Sequence, residues 1–149
     1  DRALETVNYY GRGPEENYVD RLTGSFFGTW RTTVTRMYED YVRPQDNGYR
    51  SDVRWVTFTD PQGKGVKVSA SVPLFVQALH YGVEDLEFAR HRRGKERTRI
   101  PLVPCEEVCL NLDVRQTGLG GASCGPITLE KYRVTPQTES WTLFIAPAR

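Results

Sequence analysis

The residues of this chain whose types suggest chemistry fall into a few small groups. Glu15 and Glu16 stand beside Asn17, with Asp20 close behind. Cleaving a glycosidic bond takes two carboxylates facing each other across it, about 5–9.5 Å apart. Neighbours on an extended segment point to opposite sides, so Glu15 and Glu16 are badly placed for that work. They are expected to form a charged turn that anchors Arg12 or Arg21 through ion pairs. Cys124 with His80 or His91 has the residue types of a nucleophile and its base, yet no spacing brings them together and no orienting group accompanies them. Cys105 and Cys109 are separated C-x3-C, which matches neither a redox nor a zinc pattern. Three cysteines do not close a disulfide framework, and the thiols are expected to pack as small apolar groups. The glycine-rich stretch 118–126 lacks the Gly-Lys-Ser/Thr ending of a phosphate-binding loop, and a strand-like run at 127–132 follows it instead of a helix. It is expected to be a mobile or tightly turned loop, flexible enough to reach into a neighbouring domain's cleft. Tyr38 and Tyr41, with Arg36 and Arg43, have the aromatic faces and planar polar groups that suit a sugar groove, but serve equally as sheet and core material.

The elements that must position these groups are mostly short strands. Val53, Trp55 and Thr57 alternate with Arg54, Val56 and Phe58, and Val66, Val68, Ala70 and Val72 alternate with Lys67, Ser69 and Ser71. Period two marks a half-buried strand. The intervening 60–65, Asp-Pro-Gln-Gly-Lys-Gly, predicts a hairpin with a longer loop. Val108, Leu110, Leu112 and Val114 form a further alternation, as do Trp141, Leu143 and Ile145 in the tail. One segment departs from this period: 83–92 reads as a short helix, with acids at its start and bases at its end, as the helix dipole prefers, and Gly94 is placed to end it. Gly11 to Pro14 reads as a sharp turn after a strand, and Asn47-Gly48 as another turn. The fold class expected is all-β, an antiparallel β-sandwich with one short helix, in a single domain over 1–149.

Bulk properties narrow the partners. The chain carries 20 Lys+Arg and 19 Asp+Glu, a formal charge of +1, which gives no electrostatic reason to expect nucleic acid or an anionic membrane. No apolar run approaches the roughly 18 residues of a membrane helix. The opening DRALETVNYY has neither a basic nor an apolar leader region, so no signal peptide is expected there. A chain that begins on Asp1 is expected to be a segment of a longer protein or a mature product. None of these features selects between cytoplasm and periplasm.

Three strings carry a resemblance. YGRGPEENYVDR at 10–21 resembles a signature of the family 2 β-galactosidases, in their C-terminal small-chain domain. YVRPQDNGYR at 41–50, followed by DVRW at 52–55, resembles the family's Pro-Gln-Glu-Asn-Gly segment, with Asp46 in place of Glu. GLGGASCG at 118–125 resembles a loop that commonly ends Ser-Trp-Gly or Ser-Trp-Ser. The three occur in family order over nearly the whole chain. The resemblance implies the C-terminal half of a large supersandwich related to galactose mutarotase folds. It places the two catalytic glutamates on a separate TIM barrel of the same polypeptide, so no catalytic residue is expected here. It implies no cofactor in this part, the Mg and Na that family members often use lying on other domains. The implied substrate-contacting positions are Gly120, Gly121, Ser123 and Cys124, in the loop that reaches the barrel's sugar site. Cys124 departs from the pattern, because a thiol has no aromatic face to stack on a sugar.

The leading expectation is therefore a non-catalytic portion of a β-galactosidase that completes its galactoside cleft and supports assembly. The alternatives are a stand-alone carbohydrate-binding module and a mutarotase-type sugar epimerase. The latter requires an acid–base pair, for which His80 or His91 with Glu84 or Glu87 is the available set. Half of a supersandwich should also leave unpaired edges or an apolar face that self-associates.

Overall fold

A computed structural model describes residues 1–41, 45–90, 102–121 and 125–148. The architecture is all-β and antiparallel. Six strands, β1 (Thr6–Gly13), β2 (Phe26–Thr33), β3 (Arg50–Thr59), β4 (Gly65–Leu79), β5 (Cys109–Asp113) and β6 (Leu143–Pro147), join two short helices, α1 (Val34–Met37) and α2 (Val83–Arg90). All six strands belong to one sheet, ordered β2-β1-β3-β4-β5, with β6 also on β4. The long β4 carries β6 against 66–70 and β5 against 75–79, which is why two strands share one of its edges.

Period two decides which face is buried. Val7 and Tyr9 on β1, Val56 and Phe58 on β3, and Val68 on β4 lie in register on one face and are almost wholly buried. Val34 and Met37 of α1 and Leu86 of α2 join this cluster. On the other face Tyr10 packs edge-on against Phe27, with ring centroids 4.7 Å apart. There Lys67 also lies 5.4 Å from the centroid of the Trp55 ring.

The hairpin between β3 and β4 forms as the sequence predicts. Asp60 Oδ1 accepts from the N–H groups of Gln62 and Lys64 at 2.9 and 2.8 Å, an Asx-type closure of the turn. The register between β3 and β4 slips twice, between Arg50 and Trp55. Asp52, at φ 54°, lies in that irregular stretch, and Pro73, which has no N–H for a ladder, lies opposite on β4.

Three sequence expectations need correction. Gly11 and Gly13 are the last buried residues of β1, not a turn; the chain turns after them. The run 127–132 is not a strand: it holds a single 3-10 turn at Glu130–Tyr132, because its polar groups are committed to the glycine-rich loop. A second helix, α1, forms where Thr33 Oγ1 caps the Arg36 N–H at 3.1 Å, an N-cap that the β-rich surroundings masked. The helix at 83 runs to Arg90; His91, Arg92 and Gly94 lie outside the described residues.

Glu5 ties three elements together. Its Oε2 stands 2.7 Å from His80 Nε2 at the end of β4, and its Oε1 accepts from the Thr35 N–H of α1 at 3.0 Å. Burial raises the Glu5 pKa, but the donors from His80, Thr35 and Thr33 outweigh it and leave the carboxyl below its ordinary 4.5. A carboxyl whose pKa is depressed by folding adds stability above its unfolded value and loses it as pH falls through the folded value. The melting temperature should therefore drop between about pH 5 and pH 3. The drop should be shallower in Glu5→Gln than in the parent chain, and identical slopes would contradict the contact.

Candidate sugar-facing cleft

The first string leaves β1 at Gly13 and is fixed to the second by Asn17, which is 1% exposed. Asn17 Nδ2 donates to the carbonyls of Arg12 and Glu15 at 3.0 and 2.9 Å. Its Oδ1 accepts from the Ser51 N–H at 3.0 Å and also from the Ser51 hydroxyl, and its own N–H donates to the Tyr49 carbonyl at 2.9 Å. One planar amide thus staples two strings that lie far apart in sequence.

Glu16 fixes a second junction. Its Oε2 accepts from the Gly48 N–H at 2.8 Å and the Tyr18 hydroxyl at 3.0 Å, while Oε1 accepts from the Tyr41 hydroxyl. Burial first, and then the Glu16 carboxylate, push the Tyr41 hydroxyl up to about 12 and raise that of Tyr18 as well. Both hydroxyls stay protonated donors at neutral pH. The expected ion pairs of Glu15 or Glu16 with Arg12 or Arg21 do not form among the described residues. Arg12 Nε instead donates to Asp52 at 2.6 Å, because the irregular stretch of β3 turns that carboxylate towards β1.

Asp20 holds the third string. Its Oδ1 accepts from the Leu119 N–H at 3.1 Å and its Oδ2 from the Gly120 N–H at 2.8 Å. Arg21 Nη2 donates to the Gly120 carbonyl at 3.4 Å. The loop is braced from behind as well: Thr128 Oγ1 donates to the Gly118 carbonyl at 2.7 Å, and the Gly118 and Gly121 N–H groups donate to the carbonyls of Tyr132 and Pro126 at 2.8 and 3.0 Å. Glycine is required at both clamped ends. A Cβ on Gly118 would stand 2.6 Å from Asp20 Cγ, and Gly120 has φ +60° with Thr128 N 2.7 Å from where its Cβ would be. These are positions an L side chain does not fill.

The three strings meet around a cleft of about 270 Å³. Tyr18 and Arg21 come from the first, Tyr41, Gln45 and Asp46 from the second, and Leu119 and Gly120 from the third. Asp46 is set by Gln77 Nε2, which donates to its Oδ1 and, at 2.6 Å, to the Asn47 carbonyl. Among the described residues Asp46 is the only carboxylate in this lining, and both oxygens of Glu16 are taken by donors. Phenol rings, a guanidinium, an amide and a carboxylate are groups able to hydrogen-bond a hydroxylated ligand.

The chain resembles known proteins along most of its length. A family model described as the β-galactosidase small chain matches residues 1–145. The chain belongs to the β-galactosidase small-chain family. A β-galactosidase of Priestia megaterium is 34% identical over 119 residues, covering 80% of this chain and 11% of the relative. That of Staphylococcus xylosus is 32% identical over 133 residues, covering 89% and 13%. That of Actinobacillus pleuropneumoniae is 30% identical over 133 residues, covering 89% and 12%. The small-chain segment therefore spans only about an eighth of the length of these curated relatives.

Within this small-chain segment the structure places the sequence-selected residues unequally. Gly120 lines the cleft, and Gly121 follows it in the braced loop, whereas Ser123 and Cys124 lie outside the described residues, as do Arg43 and His91. Tyr38 packs on Tyr81, with centroids 4.9 Å apart. His80 is buried against Glu5, so its ring faces the core edge rather than a groove with Glu84. Asp20 and Glu16 were not selected as site residues. Their position inside the first string was the available signal, but their partners lie up to 100 residues away.

Proposed function

We propose that this segment forms one wall of the galactoside cleft of a longer β-galactosidase and carries none of its catalytic carboxylates. The observation that carries the reading is the Asp20 clamp, which holds the glycine-rich loop against a cleft lined by all three family strings. Tyr18 and Tyr41 supply rings and hydroxyl donors, Arg21 and Asp46 the charged hydrogen-bonding groups that sugar hydroxyls accept from and donate to. Gly120 and Gly121 form the edge that faces the sugar, and the family resemblance assigns Ser123 and Cys124 of the same string to that role; the rest of the cleft comes from a TIM-barrel domain of the same polypeptide. Because Cys124 offers no aromatic face, the tyrosines carry the stacking. The segment is the C-terminal part of the small-chain domain and needs no metal of its own.

Exposed apolar residues support a docked location. Phe26 on the outer strand β2 is 70% exposed, and Ile145 on β6 is 65% exposed, surfaces that another layer of the parent covers. The isolated chain should give no turnover of a nitrophenyl galactoside above blank, and light scattering of the same sample should show dimers or larger species. Turnover that survives rigorous purification would overturn the non-catalytic reading.

A further inference from the structure

The crossing from β4 to β5 carries a pair of groups that the cleft does not use. Cys109 opens β5 opposite Leu79. The Cys105 N–H donates to the His80 carbonyl at 2.8 Å. Both cysteines are thus fixed against consecutive residues at the end of one strand. Their sulfurs stand 3.8 Å apart, both thiols are free, and both residues are half-buried, so a small reagent reaches them. The Cys105 thiol donates to the carbonyls of His80 and Glu107, at 3.1 and 3.3 Å. These are weak bonds whose loss is a small penalty. A disulfide has its sulfurs about 2.05 Å apart. Closing this one takes an approach of the sulfurs by roughly 1.7 Å.

We propose that Cys105 and Cys109 form a dithiol that a low-molecular-weight disulfide reversibly oxidises to an intrachain disulfide. The Cys105 thiolate attacks one sulfur of the external disulfide. That S–S bond breaks, a mixed disulfide forms on Cys105, and one small thiol departs with the proton released. The Cys109 thiolate then attacks the Cys105 sulfur and expels the second small thiol. Two protein S–H bonds and one external S–S bond become one internal S–S bond and two external thiols, so electrons and protons balance. Burial, and then the Cys105 thiol beside it, push the Cys109 thiol up to about 11. A thiol held protonated in this way is a slow nucleophile at neutral pH, so closure by Cys109 is expected to be a slow step.

Trypsin makes the test specific. Arg99 and Arg115 flank both cysteines, and no Lys or Arg lies between them, so residues 100–115 leave as one peptide. The full-length protein is held native in oxidised glutathione, quenched in acid, alkylated under denaturing conditions, digested and weighed. The expected result is loss of both alkylation sites from this peptide and a mass lower by two hydrogen atoms, reversed by dithiothreitol. In Cys109→Ser the same treatment should leave glutathione on Cys105. The proposal is overturned if the native peptide stays doubly alkylated, carries two glutathiones, or links to the peptide containing Cys124. It is equally overturned if Cys109→Ser acquires no adduct.

Discussion

Replacing Asn17 by Ala should lower the unfolding free energy by about 3–4 kcal/mol. The buried side chain donates twice and accepts twice. Its removal leaves the carbonyls of Arg12 and Glu15 and the Ser51 N–H without those partners. A buried polar group left unsatisfied costs about 1–3 kcal/mol, and partial relaxation offsets some of the total. For a domain stabilised by about 5–15 kcal/mol, such a loss brings the segment close to unfolding at ambient temperature. Asn17→Asp is no rescue, because a carboxylate cannot donate to the two carbonyls. Urea unfolding followed by tryptophan fluorescence reads the effect as a lower midpoint with an unchanged slope. A shift below about 1 kcal/mol would mean that the staple is not what joins the first two strings.

Asp20→Ala should act on binding more than on folding. It removes two hydrogen bonds from backbone N–H groups to a carboxylate, the charge-assisted kind. The loop keeps its rear braces at Gly118 and Gly121 but loses its front clamp. If about 2 kcal/mol of preference for the clamped loop is lost, the competent fraction falls and apparent affinity weakens by roughly 10–30-fold. In the full-length enzyme the expected result is a KM raised by that factor for a galactosyl disaccharide. A smaller change is expected for a nitrophenyl galactoside, which lacks the second sugar, and the melting temperature should barely move. An unchanged KM for both substrates would remove Asp20 from the cleft.

How much of this was legible in the sequence follows from how local each signal is. The alternations at 53–58 and 66–72 carry their own burial pattern, and the Asp60 loop carries its own closure, so β3, the hairpin and β4 were readable. The run 127–132 alternates similarly but forms no strand: the Thr128 hydroxyl and the Tyr132 carbonyl are held by Gly118, a partner that no local window contains. Arg12 was assigned to Glu15 or Glu16 because they are near in sequence. Its actual partner, Asp52, is positioned by slipped register at φ 54°, which period-two reasoning does not show. The family strings contain the residues that line the candidate cleft, but their convergence on it depends on Asn17, Glu16 and Asp20 acting over 30 to 100 residues. The C-x3-C spacing matched no known pattern and so hid the sulfur contact, which depends on where β5 begins.

The central claim is that the clamped loop forms part of the galactoside cleft. Amide hydrogen exchange at Leu119 and Gly120 in the full-length protein tests it most directly, with and without saturating isopropyl thiogalactoside, a galactoside with a sulfur-linked aglycone that resists cleavage. Both amides already donate to Asp20, so the free protein should exchange them more slowly than an open loop would. With the galactoside bound, exchange at both should slow by a further tenfold or about that, while amides in the hairpin at 60–65 stay unchanged. Exchange at Leu119 and Gly120 that is the same with and without bound galactoside would contradict the account.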